Sequence, residues 1–231
     1  MPLRVAFDLD GTIADMHAVL RLESERLFGV GEPTDVDADD ADDGEADADP
    51  SPARPRPGLS REQHATLWDH VKTIENFWNT LPEIAPGIVA RIAQTAEERR
   101  WEVIFLTTRP FVAGDTVQRQ SQRWLQAHGF AMPSVFVVQR SRGRVAEALE
   151  LDAVVDDRAE NCLDVALDSK ARAILVWPGD PKKTPLGVDR LSVRVVSSIG
   201  EALDVLIGLD DQKQQPRVTR VLRKLFGKEP A

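Results

Sequence analysis

The sequence is poor in the residue types that build disulfides and zinc sites. It contains one cysteine, Cys162, and four histidines, none of which stand three or four positions apart. An internal disulfide is therefore excluded, and a zinc cluster would lack its usual ligands. We expect a protein of a reducing compartment.

Long apolar runs are absent as well. No stretch reaches the roughly 18 residues that a membrane-spanning helix needs, and Asp8 interrupts the first apolar run before a signal-peptide core could form. These absences predict a cytoplasmic protein with no membrane span. Hydrophobic residues still make up 42% of the 231 positions, which excludes disorder of the whole chain and is enough for a sizeable core.

Negative charge is concentrated in one segment. The net charge is −9, and residues 31–58 hold ten acidic residues against two arginines. Five prolines and almost no large apolar side chains in this segment predict a solvated insert. The rest of the chain is nearly neutral and offers no general attraction for nucleic acid. Only the tail is basic. Residues 218–226 have the pattern of a short amphipathic helix that docks on its own domain or binds a partner, an anionic membrane or nucleic acid.

Hydrophobic periodicity predicts an α/β fold. Residues 15–28 and 60–79 have helical patterns, and Ser60 followed by Gln63 predicts a capping box. Short apolar runs typical of buried strands cover residues 3–7, 103–106, 135–138, 153–155, 173–177 and 193–196. We expect a Rossmann-like parallel sheet with helices on both faces and a small helical cap inserted after the first strand. The predicted core comprises residues 1–13 and 81–208, the cap residues 14–80 with the insert 31–58, and the basic tail residues 209–231.

Polar residues able to do chemistry follow three of the predicted strands. The segments are Asp8-Leu9-Asp10-Gly11-Thr12, Thr107-Thr108-Arg109-Pro110 and Asp156-Asp157-Arg158. Ligands collect at the carboxyl ends of parallel strands, and two carboxylates two positions apart in extended chain project to one side. Adding Asp156 or Asp157 would concentrate negative charge that is costly without a cation. Oxygen ligands alone favour Mg²⁺.

These segments resemble the motifs of the haloacid dehalogenase-like phosphohydrolase superfamily over residues 4–177. Residues 8–12 are similar to its first motif, Thr107 to its second, and Asp156-Asp157 to its fourth. The resemblance implies that Asp8 is a nucleophile that forms an aspartyl-phosphate, and that Asp10 is the general acid and base. It also implies that the Thr107 hydroxyl binds the transferring phosphoryl group.

The same resemblance implies a magnesium cofactor. Its ligands would be the Asp8 carboxylate, the backbone carbonyl of Asp10, and the pair Asp156 and Asp157. The third motif of the family is normally a lysine, but no lysine occurs between residues 72 and 170. We align Arg142 there, with Arg140 as the alternative, because an arginine keeps the charge and can bind phosphate bidentately.

Within the superfamily, two groups look similar to this sequence. The small helical cap and the pair Phe77-Trp78 resemble the 5'(3')-deoxyribonucleotidase group. Thr108-Arg109 and residues 156–158 resemble polynucleotide 3'-phosphatases. We expect a Mg²⁺-dependent phosphomonoester hydrolase acting on a nucleotide or a similar small phosphorylated metabolite. The alternatives are a polynucleotide-end phosphatase and a catalytically weak binding or regulatory protein.

Some residues near these motifs have two interpretations. Thr108 and Arg109 are predicted to bind substrate, although Arg109 could instead pair with a core carboxylate. Asn161 is expected to brace the fourth-motif loop. Four aromatic residues could stack on a base, although helical aromatic faces more often serve packing: Phe28, Trp68, Phe77 and Trp78.

Overall fold

The computed structural model of the protein describes residues 2–29, 59–180, 183–185 and 187–214. The predicted acidic insert at 31–58 and the predicted amphipathic segment at 218–226 lie outside the described residues. The strands are β1 (Arg4–Asp8), β2 (Glu102–Thr107), β3 (Ser134–Val137), β4 (Ala153–Asp156), β5 (Arg172–Val176) and β6 (Arg194–Val196). The helices are α1 (Met16–Phe28), α2 (Arg61–Thr73), α3 (Ile88–Arg99), α4 (Val117–Ala127), α5 (Arg142–Ala148), α6 (Ala159–Asp168) and α7 (Ile199–Gln214).

The six strands of the described residues form one sheet with the order β3-β2-β1-β4-β5-β6. The pairs β2 with β3, β4 with β5, and β5 with β6 are parallel, with Thr107 opposite Val137 and Asp156 opposite Leu175. All six apolar runs are strands within two residues of the predicted bounds, and the predicted fold class is confirmed. The central runs are buried almost without interruption, as parallel strands covered by helices require.

Local sequence signals account for the ends of α1 and the start of α2. The Asp15 carboxylate caps α1 by accepting from the backbone of Ala18 at 2.9 Å, and Gly29 ends the helix in the left-handed conformation. The predicted capping box is confirmed: Ser60 and Gln63 exchange side-chain and backbone hydrogen bonds at 2.9 and 3.1 Å.

The prediction that one helix extends to residue 79 is wrong. Helix α2 ends at Thr73, and a separate 3₁₀ turn covers Phe77–Asn79. Asn76 between them is left-handed, with φ of 53°, and its N–H donates to the carbonyl of Ala113 at 2.8 Å. The N–H of Trp78 donates to the side chain of Gln120 at 3.1 Å. Distant acceptors thus replace the bonds that a continuing helix would have made.

The chain divides into two compact units. The first comprises residues 2–6, 94–103 and 142–214 of the described chain. In this unit α5 packs on α6, α6 on β4 and β5, and α7 on β5 and β6. The buried Asp210 of α7 accepts hydrogen bonds from Arg99 at 3.2 Å and Gln214 at 2.9 Å. Burial raises the pKa of Asp210, but its hydrogen bonds outweigh this effect and hold the pKa below its ordinary value.

The second unit comprises residues 7–93, in its described part, and 104–141. Helix α1 packs on α2, and α4 packs on β3 and on the 3₁₀ turn. Among the described residues, no helix combines the length and the apolar character that crossing a membrane would require.

Candidate active site

A tight turn after β1 positions the first pair of carboxylates. The N–H groups of Ile13 and Ala14 both donate to the carbonyl of Leu9, at 3.0 and 2.8 Å. Gly11 has a φ of 88°, a conformation that favours glycine. Because Leu9 and Ile13 are fully buried, they anchor this turn in the core. Asp8 still belongs to β1, whereas Asp10 lies in the turn, so the two carboxylates do not follow the alternation of an extended chain and have different environments.

Asp10 is held by a buried arginine. Nε of Arg109 donates to the two carboxylate oxygens of Asp10 at 3.0 and 2.9 Å, and Nη2 donates to Oδ1 at 2.8 Å. The remaining terminal nitrogen, Nη1, donates to Oγ of Ser121 at 2.9 Å, and the guanidinium lies 4.8 Å from the ring centroid of Trp78. The Arg109 side chain is 0% exposed. Of the two interpretations of Arg109, the structure therefore has the pairing with a carboxylate.

Thr107 joins the same network from the end of β2. Its hydroxyl donates to Oδ2 of Asp10 at 3.2 Å and accepts from the backbone N–H of Arg109, also at 3.2 Å. Thr107 is fully buried, whereas Thr108 is half-buried. The second predicted motif thus reaches Asp10 through both Thr107 and Arg109.

Asp156, at the end of β4, is a buried carboxylate with polar support. It accepts from the backbone of Arg158 at 2.9 Å and from the side-chain amide of Asn161 at 3.1 and 3.0 Å. Asn161 braces this loop, as expected. Burial raises the pKa of Asp156, and the neighbouring Arg142 guanidinium opposes that shift.

Arg142 is the buried arginine of the third-motif segment. It begins α5 and is 2% exposed, and its Nε lies 3.8 Å from Oδ2 of Asp156. Arg140 and Arg144 are exposed. The next residue, Gly143, explains the approach: a Cβ there would lie 2.2 Å from the carbonyl oxygen of Asp164 in α6. Glycine therefore lets α5 close on α6.

The remaining predicted metal ligands are carboxylates at the ends of two strands. In the second unit, Asp8 is the last residue of β1 and is buried. In the first unit, Asp156 is the last residue of β4 and is fully buried, and Asp157 follows it and is half-buried. Buried carboxylates are costly unless a cation or hydrogen bonds compensate their charge. Carboxylate oxygens suit a hard divalent cation, so the chemistry of these residues fits the implied metal.

The aromatic residues that could have stacked on a base are mostly buried. Trp68, Phe77 and Trp78 are buried, which supports packing over base stacking, and Phe28 is half-buried. Two residues of α4 were not predicted: Ser121, which binds Arg109, and Gln120, which binds Trp78. The sequence pattern that could have indicated Ser121 and Gln120 is a polar residue on the buried face of an otherwise amphipathic helix.

Comparisons with known proteins identify the fold. No protein-family model and no curated protein matches the sequence. A haloacid dehalogenase-like family hydrolase from Streptococcus pneumoniae superimposes with a TM-score of 0.53 at 13% identity, covering 89% of this chain and 98% of that one. A hydrolase of the same family from Deinococcus radiodurans, with bound phosphate and sodium, has a TM-score of 0.50 at 16% identity, covering 89% and 95%. The chain therefore has the haloacid dehalogenase-like hydrolase fold.

Proposed function

We propose that the protein is a Mg²⁺-dependent phosphomonoester hydrolase. The observation that carries this proposal is the contrast between two carboxylates two residues apart. Asp8 is buried at the end of β1, whereas Asp10, in the turn after it, is bound by Arg109 and Thr107. Carboxylates in different environments can take different chemical roles. A nucleophile near a cation and a separate acid and base are the two roles that ester hydrolysis needs.

In the proposed reaction, Asp8 attacks the phosphorus atom of the ester. A bond forms between the Asp8 oxygen and phosphorus, the bond from phosphorus to the ester oxygen breaks, and Asp10 gives a proton to the leaving alcohol. Water then attacks the aspartyl-phosphate while Asp10 takes its proton. This step releases inorganic phosphate, restores the Asp8 carboxylate and returns Asp10 to its protonated form.

The remaining residues stabilise charge in this scheme. The Thr107 hydroxyl would donate to a phosphoryl oxygen, and the Arg142 guanidinium would supply the positive charge that a lysine supplies elsewhere in the superfamily. Asp8, Asp156 and Asp157 would hold the magnesium ion, together with the backbone carbonyl of Asp10. When bound, the cation would neutralise negative charge on the phosphoryl group. The Deinococcus protein, with its bound phosphate and sodium, makes phosphate with a cation a reasonable first ligand pair.

For the substrate, we propose a nucleotide or a similarly small phosphorylated metabolite. The near-neutral charge outside the acidic segment argues against a long polyanion. The deciding experiment is a phosphatase screen of nucleoside monophosphates and sugar phosphates, with Mg²⁺ or with excess chelator. Oligonucleotides with a terminal phosphate form a competing arm.

The matched control is Asp8→Asn, which keeps the shape of the side chain but removes the attacking carboxylate. We expect Mg²⁺-dependent release of phosphate by the wild type and none above background by Asp8→Asn, with the variant folded by circular dichroism. Equal turnover by the two proteins would refute the covalent mechanism. A wild type inactive on every ester would favour a binding or regulatory protein.

A further inference from the structure

The loop after β2 exposes an aromatic ring on a fixed backbone. The ring-bearing residue, Phe111, is 70% exposed, whereas the next residue, Val112, is fully buried. On one side the carbonyl of Pro110 accepts from Nε1 of Trp78 at 3.2 Å. On the other, the N–H of Ala113 donates to the carbonyl of Lys72 at 2.8 Å. The backbone is thus held on both sides of a side chain that faces water.

Chain geometry keeps Phe111 close to the network around Asp10. It follows Arg109 by two residues, and consecutive Cα atoms are separated by about 3.8 Å, so the two Cα atoms are at most about 7.6 Å apart. Arg109 in turn contacts Asp10 directly at 2.8 Å. Phe111 therefore lies in the same loop as the residue that binds Asp10, and a ligand that reaches Asp10 and extends along this loop would meet its ring.

Phe111 is also exposed enough to stack on a ligand, unlike the aromatic residues of α2 and the 3₁₀ turn. The aromatic side chains of α2 and the 3₁₀ turn are buried: Trp68, Phe77 and Trp78 are 6%, 1% and 0% exposed. Among the described residues, the exposed phenylalanines are Phe111 and Phe136, the latter 43% exposed on β3. A ring with a preorganised backbone loses little further freedom when it binds a flat partner.

We propose that Phe111 stacks on a planar ring in the leaving group of the substrate. The preferred substrates are then phosphate esters of nucleosides or other ring-bearing alcohols, rather than phosphates of plain sugars. This inference rests on the proposed phosphatase site and names its substrate class. Stacking uses the face of a ring and not its hydrogen-bonding edge, so purine and pyrimidine nucleotides should both be accepted.

The test compares two substrates that share a ribose and a phosphate but differ in the base: adenosine 5'-monophosphate and ribose 5-phosphate. Stacking on one exposed ring at the low end of its usual strength corresponds to about 5- to 20-fold. We expect Phe111→Ala to lose kcat/KM on the nucleotide by that factor beyond its loss on ribose 5-phosphate, mainly through KM. Phe111→Trp should preserve the preference.

The matched control is Met132→Ala. Met132 is 87% exposed and precedes the start of β3, at the opposite end of that parallel strand pair from the strand ends that carry the site. The Met132→Ala substitution removes an exposed apolar side chain of similar size and should leave the ratio of kcat/KM between the two substrates unchanged. A Phe111→Ala variant with equal losses on both substrates would overturn the proposal.

Binding to the Asp8→Asn variant separates this inference from the proposed hydrolysis. Calorimetry would measure the Kd of the nucleotide and of ribose 5-phosphate, with Phe111 intact and with Phe111→Ala added. A selective loss of nucleotide affinity supports stacking even if the wild type hydrolyses neither compound. Equal affinities of the two proteins for the nucleotide, or no nucleotide binding by either, would refute it.

Discussion

Removal of the Arg109 side chain should expose how strongly the site depends on its pairing with Asp10. We consider Arg109→Met, which keeps an unbranched apolar stem of similar length and removes the guanidinium. The substitution leaves the Asp10 carboxylate without its two charged donors, Nε and Nη2. It also removes the hydrogen bond to Ser121 and the contact with Trp78.

The expected cost follows from burial. Removing one partner of a buried ion pair costs about 3–5 kcal/mol, because the other charge stays buried without compensation. The Arg109 side chain is 0% exposed, but the Asp10 side chain retains 11% exposure, so water can partly solvate the orphaned carboxylate. We therefore expect a loss near the lower end, about 3 kcal/mol in the free energy of unfolding.

Urea denaturation of a double-mutant cycle is the appropriate assay. The cycle combines Arg109→Met with Asp10→Asn, which removes the charge that the arginine neutralises. The double variant should be more stable than the summed single losses predict, by about 1–3 kcal/mol, because the two side chains are in direct contact. Arg109→Lys should be intermediate, since it keeps the charge without the planar fork. Additivity within about 0.5 kcal/mol would refute the reasoning.

Three further predictions concern the first unit. Arg142→Ala should lower kcat/KM roughly 100-fold, the scale of one lost electrostatic stabiliser, and Arg142→Lys should retain more activity. Steady-state kinetics of both variants test this. If Arg140→Ala were the damaging change instead, Arg140 would be the residue that supplies the positive charge. Gly143→Ala should destabilise the fold by about 1–3 kcal/mol in urea melts, because its Cβ would meet the Asp164 carbonyl oxygen at 2.2 Å; an unchanged midpoint would contradict this packing. The lowered pKa of Asp210 means that its stabilising contribution is present above the unfolded pKa near 4 and is lost as pH falls through the folded value. The stability difference between wild type and Asp210→Asn should therefore shrink below about pH 4, and a difference that grows on acidification would reverse the assigned sign.

Much of the secondary structure is encoded locally. Each strand coincides with a short apolar run, because a parallel strand buried on both faces can use apolar side chains at nearly every position. The start of α2 is equally local, since Ser60 and Gln63 satisfy each other's backbone N–H groups within one turn. The sequence therefore predicted where each strand lies along the chain, and with it the loops that carry the polar motifs.

The end of α2 was decided by tertiary contacts. Residues 74–79 have a helical apolar pattern, but the N–H groups of Asn76 and Trp78 bond to Ala113 and Gln120, which lie more than 35 residues away. A periodic pattern reports which side chains can be buried together. It does not report which acceptors the folded chain brings to each backbone N–H.

The partners of the site's charges were likewise decided by the tertiary structure. The sequence placed Asp10 and Arg109 at strand ends but left the partner of Arg109 open, because 99 positions separate the two residues. The sequence favoured Arg142 over Arg140 for the third motif by alignment alone. In the structure Gly143 packs against α6, and Arg142 is buried whereas Arg140 is exposed. Strand ends follow from local patterns of burial, but the pairing of buried charges depends on which side chains the sheet and its helices bring within hydrogen-bonding distance.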